Sequence, residues 1–179
     1  AATLAALLEE RDPIRGAPVD LSLRVEAAAD PKRFEAGHPW PVNRGIAERA
    51  RAEANRLRRM VGQVSAAFTL PEMAALAYPD RIGLRRDGEA ARYVLSGGKG
   101  ALIDAGDPLA QARIIVATDL DGDPHEAKVR QGIDLPEASL RRLFGERIER
   151  REIVEWSRRE GRVVARTQEQ LGALVLAEA

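Results

Sequence analysis

Along the first 78 residues apolar positions recur at helical spacing. Leu4, Leu7 and Leu8 mark a short amphipathic helix that Asp12-Pro13 breaks. Leu21, Val25 and Ala28 share one side of a second helix over about 19–29. Three prolines and a glycine within 30–41 predict a loop. Asn43 then caps the clearest helix, which ends near Gly62 and gathers Ile46, Ala50, Ala54, Leu57 and Val61 in one arc. Thr69-Leu-Pro-Glu72 has the form of a capping box and opens a short helix to about Ala77.

From Pro79 the pattern changes to short β-like runs parted by glycine turns. Strands are predicted over 81–86, 92–96, 101–103, 113–120 and 127–133, with turns at Asp87-Gly88, Gly97-Gly98 and Asp121-Gly122. Five short strands in so little chain suit a small closed barrel better than a flat sheet. A second capping-box pattern, Asp134-Leu-Pro-Glu137, predicts a helix through Leu140 and Leu143 that stops at Gly145. Beyond it, 147–156 and 162–168 read as a hairpin around Glu160-Gly161, with one more strand over 173–177. The expected fold is α+β, in three parts: 1–70 a partial helical bundle, 71–134 a small β-barrel, and 135–179 a helix and hairpin. The main boundary is expected between about Val64 and Pro79.

Charge changes this picture less than its kind does. The chain carries 28 basic and 28 acidic residues, so it is no polycation. Only Lys32, Lys99 and Lys128 are lysines, which leaves 25 of those 28 as arginine. Arginine's planar fork suits phosphate and carboxylate, although a GC-rich coding sequence produces the same bias. The absence of cysteine excludes disulfides and thiolate metal sites, and it points to a reducing, cytoplasmic setting. No apolar run is long enough to cross a bilayer, and no secretory signal is present, so no membrane partner is expected. The chain opens without methionine and already in helical periodicity, as a piece of a longer protein would.

Most of the tempting chemistry fails on spacing. Ser96-Gly97-Gly98-Lys99-Gly100 lacks the hydroxyl after its lysine that a magnesium-holding phosphate loop needs, so it reads as a turn. Asp119, Asp121 and Asp123 alternate like a calcium loop, but Gly122 falls two positions early and Arg130 stands where a glutamate belongs. His38 and His125 are isolated, which leaves no zinc set. No catalytic constellation and no metal site is expected, and no cofactor within this chain.

The basic groups are the better candidates. Arg81, Arg85, Arg86, Arg92 and Lys99 lie on or beside the first barrel strands, where Tyr93 could offer a ring for base stacking. Arg44, Arg51 and Arg58 recur every seven residues beside the apolar arc of the long helix, with Arg49, Arg56 and Arg59 farther round. Either set could track the phosphates of single-stranded nucleic acid; alternatively, the barrel set could be an ordinary solvated face paired with Asp80, Asp87 and Glu89, and the helix set could pair with acidic surfaces of neighbouring domains. Arg141, Arg142, Arg147, Arg150 and Arg151 are interleaved with Glu146, Glu149 and Glu152 and read as self-compensating. Trp40 and Trp156 read as packing anchors, given the area a tryptophan buries.

Three stretches resemble the HrpB-type bacterial helicases. They are Ala6-Leu-Leu-Glu-Glu-Arg-Asp-Pro-Ile-Arg15 with Asp20-Leu-Ser-Leu-Arg24, then Ala75-Leu-Ala-Tyr-Pro-Asp-Arg-Ile82 with Arg92-Tyr-Val-Leu-Ser-Gly-Gly-Lys-Gly100 and Gly106-Asp-Pro-Leu109. The third is Leu143-Phe-Gly-Glu-Arg-Ile-Glu149 with Gly161-Arg-Val-Val-Ala-Arg166 and Leu171-Gly-Ala-Leu-Val-Leu176. The resemblance implies a parent ATP-dependent DEAH-type helicase acting on RNA or single-stranded nucleic acid. It also implies RecA-like motor domains upstream of Ala1 that would bind ATP and Mg2+. By the same resemblance, the first part ends a helicase-associated ratchet region, the barrel is an oligonucleotide-binding (OB) fold, and the last part begins a family-specific C-terminal region. The expected function is a nucleic-acid-binding, domain-organising accessory region. The alternative is a structural scaffold that docks onto the motor domains or another protein.

Overall fold

In the computed structural model of the chain, residues 1–62, 67–88, 90–159 and 161–179 are described. Val64, Glu89 and Glu160 therefore lie outside the described residues, and with them part of the expected boundary, one expected carboxylate partner and half of one expected turn.

The helical spacing of the first third resolves into α1 (Ala2–Glu9), α2 (Leu21–Ala29), α3 (Pro31–Gly37) and α4 (Arg44–Val61). The Asn43 carboxamide accepts the Ile46 N–H at 3.1 Å to start α4, and Gly62 ends it at φ +69°. Ala47, Ala50 and Ala54 are buried on the side that meets α1 and α2, where small side chains let helices approach closely. The loop expected over 30–41 instead contains α3. Asp30 ends α2, and its carboxylate accepts the Arg33 N–H at 3.1 Å, so one residue closes a helix and caps the next. Pro31 occupies the first turn, where no N–H is required, so the proline starts a helix rather than breaking one. Phe34 of α3 is fully buried with Ile14, Ala27, Val42 and Ala47, and half-buried Trp40 packs against this cluster as expected.

The β-rich segment closes into a barrel of β1 (Ile82–Arg85), β2 (Arg92–Leu95), β3 (Gly100–Leu102), β4 (Ile114–Leu120) and β5 (Glu126–Asp134). Its order is β1-β2-β3-β5-β4, with β1 paired back onto β4 and only the β3–β5 pair parallel. Alternation places Tyr93, Leu95, Ala101, Ile103, Ile115, Ala117 and Val129 in the interior, where the 3-10 turn Pro108–Gln111 adds Leu109 and Ala110. A Cβ on Gly83 would stand 3.0 Å from Leu95 Cδ2 and 3.1 Å from Ile115 Cγ1, so glycine makes room for the filling. The outer side is apolar too: Ile82, Ile114, Val116 and Ile133 meet Leu4, Leu21, Ala74, Leu140 and Phe144. Here α5 (Leu70–Ala77) and α6 (Glu137–Phe144) cover the barrel.

The capping box expected at Asp134 does not form. Leu135 N–H is taken by the Ile114 carbonyl at 2.9 Å, which extends the sheet pairing past Asp134, and α6 starts at Glu137 after Pro136. The final sheet, β6 (Glu149–Ser157), β7 (Arg162–Leu171) and β8 (Leu174–Glu178), runs in that order and is antiparallel throughout. Its base is fastened to the barrel, since Ala173 N–H donates to the Ser96 carbonyl at 2.9 Å and Leu171, Leu174 and Leu176 join the main core.

Glu72 ties α5 to α6. Its carboxylate accepts from Thr69 N–H at 3.0 Å and Ser139 hydroxyl at 2.8 Å, and it meets Arg142 at 2.5 Å. These partners, the Arg142 guanidinium first, hold its pKa down from 4.5 to about 2. A carboxylate depressed in the folded state stabilises it above the ordinary pKa and loses that contribution as pH falls. The stability gap between the wild-type chain and Glu72→Gln should therefore be full above pH 4.5 and shrink as pH falls toward 2. Urea midpoints across that range check it; a gap independent of pH would remove the charge from the account.

Candidate nucleic-acid interface

The candidate cations fall into two separate groups. Arg44, Arg51 and Arg58 stand exposed on α4, which packs on α1 and α2, whereas Arg81, Arg85, Arg86, Arg92 and Lys99 belong to the barrel. The structure does not merge them into one stripe.

On α4 three of the six arginines are matched by carboxylates. Arg44 pairs with Glu35, Arg49 with Glu10 at 3.0 Å, and Arg56 with Glu53 at 2.6 Å. Arg58 donates to Asn55 Oδ1 at 2.7 Å and Thr3 Oγ1 at 2.8 Å, which anchors α4 to α1. Arg51 and Arg59 remain exposed, with no ion pair among the described residues.

On the barrel the cations have diverse tasks. The Arg81 guanidinium lies 4.8 Å from the Tyr78 ring centroid and donates to the Thr118 carbonyl, so it braces β4. Arg85 keeps its Nε buried without a hydrogen-bond partner among the described residues. Arg92 of β2 reaches Glu126 of β5 at 3.3 Å across the intervening β3, an exposed ion pair on a solvated face. Arg86, at the start of the β1–β2 connection, is exposed and unpaired among the described residues. Lys99 lies in the β2–β3 turn, half-exposed.

Tyr93 corrects the sequence reading. It is fully buried inside the barrel, and its hydroxyl donates to the Ala112 carbonyl at 2.9 Å. Burial pushes the phenol's pKa up, in keeping with a neutral donor. A ring enclosed on both faces cannot receive a base, so Tyr93 fills the barrel and is no stacking platform.

The loops behave as turns. Gly98 adopts φ +93°, Gly97 N–H donates to the Asp80 carbonyl at 2.9 Å, and the Ser96 hydroxyl donates to the Pro79 carbonyl at 2.5 Å. These bonds spend the groups a phosphate would need. In the β4–β5 loop Asp121 accepts from the N–H groups of Asp123 and Lys128, and Asp123 from those of His125 and Glu126. These backbone donors lower the Asp123 pKa. Among the described residues no three metal-ligating side chains gather. A cleft of about 560 Å³ opens between Pro18, Leu23, His38 and Trp40 and the barrel's Leu109 and Ala112. Asp20 and Asp134 on its lining make it a poor seat for an anion.

Sequence reasoning missed the far end of the β6–β7 hairpin. Trp156, expected as a packing anchor, is 62% exposed, because the hairpin runs out beyond the core and nothing among the described residues covers this face. Only the base of β7 reaches the core, through Leu171. The signal available in sequence was that β6 and β7 carry charged residues on both faces, which a strand covered by a neighbour would not.

Comparison with known proteins places these features. Residues 147–179 match the family described as ATP-dependent RNA helicase HrpB, connector region. Among solved structures, the E. coli DExH-box NTPase HrpB aligns with a TM-score of 0.72 at 24% identity, covering 99% of this chain and 20% of that one. A second structure, the Escherichia coli DEAH/RHA helicase HrpB, aligns with a TM-score of 0.65 at the same identity and coverage. The chain thus spans about a fifth of the length of these solved structures. No curated protein sequence matches. The likeness to HrpB-type helicases expected from the sequence is therefore found by sequence over the connector segment and by fold over the whole chain. Among the described residues no helix is long and apolar enough to cross a membrane.

Proposed function

We propose that the chain is an accessory region of a HrpB-type helicase that holds single-stranded nucleic acid and keeps the parent's motor domains in register. The observation that carries the reading is a closed five-stranded barrel in the order β1-β2-β3-β5-β4, with the exposed Arg86 at its β1–β2 connection. In OB barrels that connection borders the strand that is bound. ATP and Mg2+ belong, on this reading, to RecA-like motor domains in the parent protein, and this chain contributes the grip.

Arginine–phosphate contacts release counterions, so binding of a short fluorescein-labelled oligouridylate should weaken steeply with salt, at about 0.7 in log–log slope per contact. Fluorescence anisotropy of the 179-residue chain at low and high salt tests it. An Arg51→Ala, Arg86→Ala double variant should lower the affinity several-fold, because neither side chain has a carboxylate partner to lose among the described residues. Absence of any binding at low salt would remove the grip and leave a scaffold.

That scaffold is the second reading, and Met60 and Val61 favour it. They stand side by side at the end of α4, 69% and 66% exposed, an apolar pair that a neighbouring domain would cover. It predicts that Met60→Ser with Val61→Ser leaves the anisotropy unchanged and weakens association with the motor domains in pull-down.

A further inference from the structure

The far end of the β6–β7 hairpin carries an unassigned surface. Register pairs Trp156 with Val163 and Val154 with Ala165, so these four side chains stand together on one face. Val154, Trp156 and Val163 are 67%, 62% and 61% exposed, and Ala165 is exposed as well. Just beyond this face come Arg158 and Arg159, both exposed and neither in an ion pair among the described residues. An uncovered tryptophan is costly to leave in water, and here it adjoins two unmatched guanidinium groups.

The geometry points to the β6–β7 hairpin as a second contact for single-stranded nucleic acid, with a base stacked on Trp156 and the flanking phosphates on Arg158 and Arg159. This deepens the proposed function and rests on it. A flat ring with an apolar floor of Val154 and Val163 accepts any base by its π-face, and the arginines supply the charge that a neutral stack lacks. Charge complementarity favours a polyanion over another protein surface, since Arg158 and Arg159 beside the ring have no carboxylate partner among the described residues. A second copy of this chain fits poorly. The free edge of β6 carries Glu149, Arg150, Arg151, Glu152 and Glu155, a run of charges that discourages strand-to-strand addition.

The test uses the full 179-residue chain and a short labelled oligouridylate. Adding the oligonucleotide should quench tryptophan emission in Trp40→Phe, where Trp156 is the sole reporter, and leave Trp156→Phe nearly unquenched. Trp156→Ala should weaken binding roughly 5- to 100-fold, the worth of one base–aromatic stack. Arg158→Ala with Arg159→Ala should lower the salt slope by about 0.7 per lost contact. Trp156 packs into no core cluster, so its variants should keep the wild-type melting temperature; that check separates lost binding from lost folding. Binding with wild-type affinity in Trp156→Ala and no quenching overturns the hairpin contact while the barrel grip stands. No binding by the wild-type chain overturns both. Unchanged oligonucleotide affinity with altered sedimentation in Trp156→Ala would assign the face to contact between copies of this chain and overturn the proposal.

Discussion

Asp12→Ala should destabilise the helical layer by about 3 kcal/mol, the cost of stranding a buried guanidinium. Arg24 of α2 is 3% exposed, and its Nε and Nη2 reach Asp12 Oδ2 at 3.2 and 2.8 Å. Its Nη1 donates to the Pro18 and Asp20 carbonyls, the latter at 3.1 Å. Those carbonyls can satisfy hydrogen bonds but cannot neutralise the charge. Asp12 is 38% exposed, so water would reach part of the vacancy, which places the loss at the lower end of the usual range. The same carboxylate accepts Ile14 N–H at 3.0 Å, and Ile14 bridges to Val42 while Asn43 N–H donates to the Pro13 carbonyl at 2.8 Å. Losing Asp12 therefore loosens both the ion pair and the segment that seats Ile14 beside Phe34. Thermal unfolding should show a fall in Tm on the order of 6–12 °C for a chain of this size. Asp12→Asn, which keeps an acceptor, should lose less. An Arg24→Met, Asp12→Ala double variant, with no buried charge left, should recover much of the loss. A double variant no better than the single would mean that packing, not charge, sets the cost.

The chain announced its barrel more clearly than its contacts. Gly88, Gly98 and Gly122 all adopt positive φ, so the turns that divide the strands were written in residue types. Inward and outward positions were legible as well: Arg92 faces out, hence Tyr93 one step along must face in. Reading Tyr93 as a platform ignored that alternation. Pro31 was mistaken because a proline breaks a helix or opens one according to what precedes it, and Asp30 was the deciding neighbour. Asp134 failed as a cap because a long-range backbone bond, from Leu135 to Ile114, outcompeted a local pattern, and no window of sequence contains that partner. Part of the ion pairing is likewise non-local. Arg49 and Glu10, or Arg142 and Glu72, lie far apart in the chain, so which arginines stay unmatched emerges only from the fold. The exposure of Trp156 belongs to the same class, since a sequence records an apolar side chain but not whether anything lies over it.

The joint that carries the hairpin should fail at Gly172. This residue, in the two-residue turn between β7 and β8, has φ +57°, and an added Cβ would collide with the backbone carbonyl oxygen of Ser96. Backbone lies on both sides of that collision, so no rotamer relieves it. Gly172→Ala must lift the turn from the barrel, break the Ala173-to-Ser96 hydrogen bond and open the seat of Leu171, Leu174 and Leu176. Left-handed backbone alone costs alanine about 1–2 kcal/mol, and the displaced contacts bring the expected loss to about 3 kcal/mol. Gly161 supplies the control, because it has φ +64° in the other hairpin turn and nothing within 4 Å of its would-be Cβ. Gly161→Ala should show the backbone cost alone, and Gly161→Asn less still, since asparagine tolerates the left-handed region. Gly172→Asn should stay as damaged as Gly172→Ala, because easier backbone does not remove the clash. Urea unfolding gives the ranking, and limited proteolysis before β6 reports whether the sheet has swung free. If the two glycines prove equivalent, the turn is not wedged against Ser96, and the hairpin's aim relative to the barrel is set by the leucines alone.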